Sequence, residues 1–413
     1  MFETIKLENN VSIVMEKISS FRSVSLGIFI KNGSINETEK TNGISHFIEH
    51  MLFKGTDKRS SKEIAEEMDN IGGQLNAFTS KEYTCYYARV LDTHIDKAID
   101  VLTDMLFNSK FDSVDIEKEA KVIIEEISMY EDSPDDVVFR KMQENIWKNT
   151  PLGYGVLGSR ENVDSFKRED FINYINEKYV GENTVVAIAG NFDRDKVLSL
   201  IKEKMLQMKK GKESREAYIS YPYIPCKTKI YKDIEQIHLN IGFNSVSLTD
   251  KYNYSMSLLN SIMGGGMSSI LFQKVREEEG LAYSIYSYNS AYVNNGIFNI
   301  YAGLNKEYLQ KTIDIITREI KNIINNKIDS FQIEKTKEQL KSNYIMGLES
   351  TSNRMSSIGK SKILLDKIKT PDEIIKEVDM IKKDDINYLI ENVFDLDKMS
   401  ICIVGKVDDI ELF

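Results

Sequence analysis

The sequence predicts an α+β protein: two homologous domains, each a mixed, mostly antiparallel sheet packed with helices in an α/β-sandwich-like arrangement, duplicated within the chain. Three observations carry this. The chain has 413 residues, more than one core supports, because cores stop growing near ~250–300 residues. Short β-rich runs alternate with helical patterns along the whole length. Two strand–glycine patterns also recur at one spacing. VVAIAGNFD puts a glycine at Gly190 and SICIVGKVDD puts one at Gly405, 215 residues on, while Gly27 of SVSLGIFIK and Gly242 of HLNIGF are also 215 apart. Two matches at one offset favour duplication of a unit of roughly 200 residues over two unrelated domains.

The elements follow in order. Val24–Ile30 (VSLGIFI) reads as a buried strand, with a turn at Asn32-Gly33. Helical periodicity covers Gly43–Phe53 and Ser61–Ile71, and Gly72-Gly73 breaks the second helix. Leu75–Val90 is rich in β-formers. A long helix is expected over Val114–Tyr130, ending near Ser133-Pro134. Thr184–Ala189 is a strand leading into Gly190-Asn191, followed by a Lys/Glu-rich helix to about Lys210. Gly211–Lys227 is polar at its start and holds two of the five prolines, so it reads as a linker. The expected domains are residues 1–212 and 228–413, joined by 213–227. A helix over Met267–Glu279 follows Gly264-Gly265-Gly266, which lacks the G-K-[ST] ending of a phosphate-binding loop.

Composition narrows the function. Hydrophobic residues make up 41% and charged residues 29%, which suits a soluble globular protein and excludes a disordered one. With 54 basic and 64 acidic residues the net charge is −10. That argues against a nucleic-acid partner, which needs a basic face; a basic or unfolded polypeptide fits better. Cys85, Cys226 and Cys402 are scattered, with no C-x-x-C spacing, so a reducing compartment is expected. The N-terminus shows no basic-then-apolar leader, and no run is apolar enough to span a bilayer. A cytoplasmic protein without a membrane partner is the expectation.

Two of the four histidines fall in one pentapeptide, His46-Phe47-Ile48-Glu49-His50. On a helix, i and i+4 lie about 40° apart, so both imidazoles share a face and Glu49 stands on the same side. At this composition a chance H-x-x-E-H arises roughly three times in a thousand such chains, so context decides. The flanking Ile44, Phe47, Ile48, Met51 and Leu52 indicate a buried helix, where polar groups need partners. A hydrolytic zinc site takes three protein ligands and one open position. The helix EKEAKVIIEEISMYED offers Glu117, Glu119, Glu125 and Glu126. Glu119 and Glu126, seven apart, share a face, but spacing alone does not choose between Glu125 and Glu126.

The segment GISHFIEHMLFKGT resembles the zinc-site helix of the pitrilysin/insulinase family of metallopeptidases, whose H-x-x-E-H inverts the zincin motif. It is most like the branch holding the mitochondrial processing peptidase β-subunit and its bacterial relatives. GGQLNAFTSKEYTCYYARV, KYVGENTVVAIAGNFD, DIEQIHLNIGF and GGGMSSILFQKVREEEGLAYSIYS extend the likeness over nearly the whole chain.

The resemblance implies one Zn²⁺ per chain on His46, His50 and a glutamate 76 positions after the second histidine, here Glu126. It implies support for the site from Glu119 and a general base in Glu49, which takes the proton of the metal-activated water and passes it to the leaving amine. It also implies endopeptidase activity on unfolded or extended peptides inside a closed chamber. An edge strand at Asn76, Ala77 and Phe78 would bind the peptide by main-chain hydrogen bonds, and Arg276 and Tyr283 would hold the substrate carbonyl and its oxyanion. The implied assembly is a homodimer with Arg276 and Tyr283 acting in trans. Non-catalytic relatives lose ligands or the base, whereas all of these residues are present here. One departure is Ile270, where relatives often carry arginine. His94 and His238 have no metal-binding context and read as structural.

Overall fold

In a computed structural model, which describes residues 2–407, the chain forms two sheets of matching topology. The first contains β1 (Phe2–Lys6), β2 (Ser12–Lys17), β3 (Ser23–Ile30), β4 (Gln74–Thr79), β5 (Thr84–Leu91) and β6 (Thr184–Gly190), in the order β1-β2-β6-β3-β5-β4. The second contains β7 (Lys227–Tyr231), β8 (Gln236–Asn244), β9 (Ala282–Ala291), β10 (Gly296–Asn305) and β11 (Ser400–Gly405), in the order β7-β11-β8-β10-β9. Leaving out β1, each sheet opens with a parallel pair, β2 with β6 and β7 with β11, and continues with antiparallel pairs. The 215-residue repeat is explained by this match: Gly27 and Gly242 lie on β3 and β8, and Gly190 and Gly405 end β6 and β11.

Strand position follows from side-chain pattern. β3 and β6 are central and apolar on both faces, and β6 is buried throughout, as befits strands covered on two sides. β4 is an edge strand with alternating exposure. The β-rich run expected over Leu75–Val90 is thus two antiparallel strands, with Thr79 opposite Thr84 across the turn.

The units differ from the contiguous halves expected at 1–212 and 228–413. The first unit runs to Ile127 and adds Tyr154–Ala217 and Met346–Thr370; the second takes Ser128–Gly153, Tyr218–Ile345 and the chain from Pro371 on. Each sheet has one face against its own helices and a second face covered by a helix from the other half of the sequence. Thr351–Leu365 packs on β3 and β6, and Pro134–Ile146 packs on β8 and β11. The first of these contacts is close. A Cβ on Gly359 would lie 2.2 Å from the Phe29 ring, and one on Gly27 2.4 Å from Met355 Sδ. Ser25 and Thr351 hydroxyls meet at 2.9 Å beside them. Periodicity announces a helix but not which sheet it covers, so this exchange is invisible in the sequence. Among the described residues, no helix is long and apolar enough to cross a membrane.

Candidate metal centre

The pentapeptide lies on the helix Ile44–Met51, where Ile44, Ser45, His46, Phe47, Ile48 and Met51 are buried. The helix is entered through Gly43 at φ +101°, where a Cβ would sit 2.8 Å from the Leu157 carbonyl oxygen, so glycine is required. Gly43 has no side chain to cap the helix. Glu37, itself buried, does so instead: its carboxylate accepts from the backbone N–H of Gly43 at 2.8 Å and of Ser45 at 2.9 Å, and from Asn42 Nδ2 at 2.9 Å. The two backbone groups are donors that a helix start leaves unpaired. Burial nonetheless raises the Glu37 pKa above the usual carboxylate range.

The second contributing element is the helix Ser113–Asp132. It turns Glu119 and Glu126 inward and leaves Glu117 and Glu125 exposed. His46 Nε2 lies 3.6 Å and His50 Nε2 3.5 Å from the same oxygen, Glu126 Oε2. The three donor atoms lie within 4.8 Å of one another. Ligands held at about 2.0–2.1 Å around a tetrahedral metal stand roughly 3.3–3.4 Å apart, so the donor set fits such an ion with little adjustment. Burial drives the His46 pKa down to about 3, with the neighbouring His50 acting in the same direction. The imidazole is therefore neutral, as a ligand must be. Burial also raises the Glu126 pKa, against the lowering influence of His50.

The two histidines are supported differently. His50 Nδ1 pairs with Glu119 Oε1 at 2.8 Å, and Lys54 Nζ meets Glu119 Oε2 at 2.5 Å. Burial pushes Glu119 up, but the hydrogen bonds from His50 and Lys54 outweigh it and leave the carboxyl below its ordinary pKa. A carboxylate at Nδ1 keeps the proton there and frees the Nε2 lone pair. Among the described residues, His46 Nδ1 is buried without a hydrogen-bond partner.

Glu49 stands beside the cluster, with Oε2 accepting from Thr79 Oγ1 at 2.6 Å. Burial raises its pKa and the Thr79 bond partly opposes that. Asn76, Ala77 and Phe78 lie on β4. Asn76 Oδ1 accepts from the Ala77 N–H at 2.8 Å, and the Phe78 ring packs on Tyr83 and Tyr87.

Arg276 and Tyr283 belong to the second unit. The helix expected over Met267–Glu279 is there wound as a π-helix over Phe272–Glu277, with Glu278 N–H bonding Gln273 O at 2.9 Å. Such wide turns concentrate at functional sites. Tyr283 is the extra residue of a β-bulge: Ser284 pairs with Gly303 and Ala282 with Leu304. The bulge turns its side chain outward, 77% exposed. The Arg276 guanidinium lies 4.8 Å from both the Phe272 and Tyr283 ring centres and donates to Tyr283 O at 2.7 Å. Ile270 packs against the second core. His238 Nδ1 pairs with the Tyr301 hydroxyl at 2.8 Å.

Glu37, Lys54 and Thr79 escaped the sequence reading. Glu37 and Thr79 reach the motif helix from other segments, and Lys54 acts through Glu119, so no local spacing marks them.

The fold carries the inverted histidine motif and three residues that could hold a metal ion, and the comparisons with known proteins make the chain a zinc metalloprotease. The chain belongs to peptidase family M16: residues 12–160 match the insulinase (peptidase family M16) profile, and residues 165–340 match the peptidase M16 inactive domain. A Bacillus subtilis zinc protease, YmxG, is 42% identical over 394 residues, spanning 95% of this chain and 96% of its own. A zinc protease of Rickettsia felis is 38% identical, spanning 95% of each chain. Among solved structures, a Helicobacter pylori protease superposes with a TM-score of 0.89 at 20% identity, over 98% of this chain and 99% of its own. A peptidase M16 inactive domain from Pseudomonas fluorescens gives 0.91 at 16%, over 98% of each. At these identities the two structures speak for the fold alone.

Proposed function

We propose that the chain is a zinc-dependent endopeptidase acting on unfolded or extended peptides inside a closed chamber. The observation that carries this reading is the grouping of His46, His50 and Glu126, with a second carboxylate, Glu49, alongside. His46, His50 and Glu126 would hold one Zn²⁺. When bound, the ion polarises the scissile carbonyl and makes water a nucleophile near neutral pH. Glu119 orients His50. Glu49 takes a proton from the attacking water and delivers it to the leaving amine.

The peptide would add to β4 at Asn76–Phe78 through main-chain hydrogen bonds, which selects extended chains over folded ones. For this the Asn76 side chain must release the Ala77 N–H it now occupies. Arg276 and Tyr283 would hold the substrate carbonyl and stabilise the oxyanion, acting across a homodimer on the partner chain's site. The location we propose is cytoplasmic.

The test is cleavage of a quenched, unstructured peptide by wild type and Glu49→Gln, with zinc measured on both. Wild type should cut and carry one zinc per chain, while Glu49→Gln keeps the zinc and loses activity by about 10²–10⁴-fold. Zinc without cleavage in the wild type would favour a non-catalytic subunit, and a wild type that takes up no zinc would sink the site.

A further inference from the structure

We infer that Thr79 is a positioning residue that aims the Glu49 carboxylate from the strand that receives the substrate. The inference rests on the peptidase reading above and adds to it a residue outside the motif. The Thr79 hydroxyl has one hydrogen, and it goes to Glu49 Oε2 at 2.6 Å. Among the described residues Glu49 Oε1 has no hydrogen-bond or ion-pair partner, so the bond leaves one oxygen held and the other open to accept a proton.

The aim of the hydroxyl is itself fixed. Thr79 is the last residue of β4 and sits opposite Thr84 of β5. Thr84 is buried, donates to Asn32 O at 2.9 Å and approaches Thr79 Oγ1 at 3.4 Å. A β-branched side chain has few χ1 choices, so the strand backbone decides where the hydroxyl points. Among the described residues β5 is the one strand that pairs with β4. Its last residue holds the base while Asn76–Phe78 would take the peptide. Displacement of β4 therefore moves the hydroxyl that holds Glu49, which ties the base to the state of the substrate strand.

The bland alternative is that Thr79 merely satisfies a half-buried carboxylate and contributes stability. Kinetics separate the two. The proteins compared are wild type, Thr79→Val, which keeps the shape without the hydroxyl, and Thr79→Ser, which restores the hydroxyl. The readouts are kcat, KM, bound zinc, and affinity for a peptide whose scissile bond is reduced and cannot be hydrolysed.

Thr79→Val should lower kcat by about 10–100-fold, a part of what a positioned base supplies. KM, zinc content and affinity for the reduced peptide should be unchanged, and Thr79→Ser should recover kcat to within about threefold of wild type. A kcat for Thr79→Val equal to wild type overturns the inference. So does a loss that falls on KM, zinc or peptide affinity, or a serine variant as impaired as the valine one. If Thr79→Val does not fold, Thr79→Ala replaces it with the same expectation. Failure of the peptidase reading is recognised separately, by a wild type that cuts nothing.

Discussion

Replacing Glu119 with alanine tests how the metal residues are held. Glu119 is hydrogen-bonded to the donor set through His50, at 2.8 Å, and it is 4% exposed. The hydrogen bond involves a carboxylate, and bonds to charged groups are worth about 1.5–3 kcal/mol. Loss of an outer partner of a metal-bound histidine costs about 10–100-fold in metal affinity. At 1.36 kcal/mol per decade this is about 1.4–2.7 kcal/mol, so two independent routes give the same size. Without Glu119 the His50 ring is free to turn and to place its proton on Nε2. Lys54, one-third exposed, can swing into water and leaves no buried charge behind. Zinc affinity of Glu119→Ala, measured by competition with a chelator near neutral pH, should therefore fall about 10–100-fold while circular dichroism shows an intact fold. An affinity within about threefold of wild type would refute the idea that this carboxylate orients His50.

Three further outcomes are expected. Mixing and re-associating equal amounts of Glu49→Gln and Arg276→Ala, each inactive alone, should restore about a quarter of wild-type activity, because half the dimers would be mixed and each would hold one complete site; no recovery would place the pair in cis. Gly359→Ala should lower stability by about 1–3 kcal/mol in urea titrations, because its Cβ would meet the buried Phe29 ring; unchanged stability would mean that the helix Thr351–Leu365 can shift on the sheet. The third concerns Asp100. Burial raises its pKa, but bonds from Lys204 and Arg59 hold the carboxyl at about 2 against an ordinary 3.8. The unfolded chain then binds this proton more readily, so the contribution is present above about pH 4 and drains away as pH falls towards 2. Asp100→Asn should be less stable at neutral pH with a flatter urea midpoint across that window, and an equal slope would contradict the assignment.

Much of the centre was legible because two of its three donors share one helix. The i, i+4 spacing of His46 and His50 puts both rings on one face without help from the rest of the fold. The third donor was legible only as one of several acidic residues; Glu126 rather than Glu125 follows from which side of Ser113–Asp132 meets the motif helix. That is a packing fact, supplied in advance only by resemblance. Glu37, Lys54 and Thr79 were silent for the same reason. The repeat at Gly27/Gly242 and Gly190/Gly405 was legible because strand and turn glycines are constrained by local backbone. The π-helix at Phe272–Glu277 was not, since its residues also suit an ordinary α-helix.

The covering of β3 by Thr351–Leu365 sets a timetable for synthesis. The first unit has its strands and the residues of the metal centre once Ala217 is made, yet it is closed only when Thr370 arrives, 153 residues later. At about 5–20 residues per second that is a wait of roughly 8–30 s. Throughout it the face bearing Phe29, destined for complete burial, lies open beside a nascent chain. A fragment ending at residue 212 would never leave that state, so the apparent N-terminal half is not an independent folding unit. Whatever the finished enzyme cuts, its own unfinished chain passes through a stage with an uncovered sheet face, and the demand for chaperone protection should peak before residue 370 emerges from the ribosome.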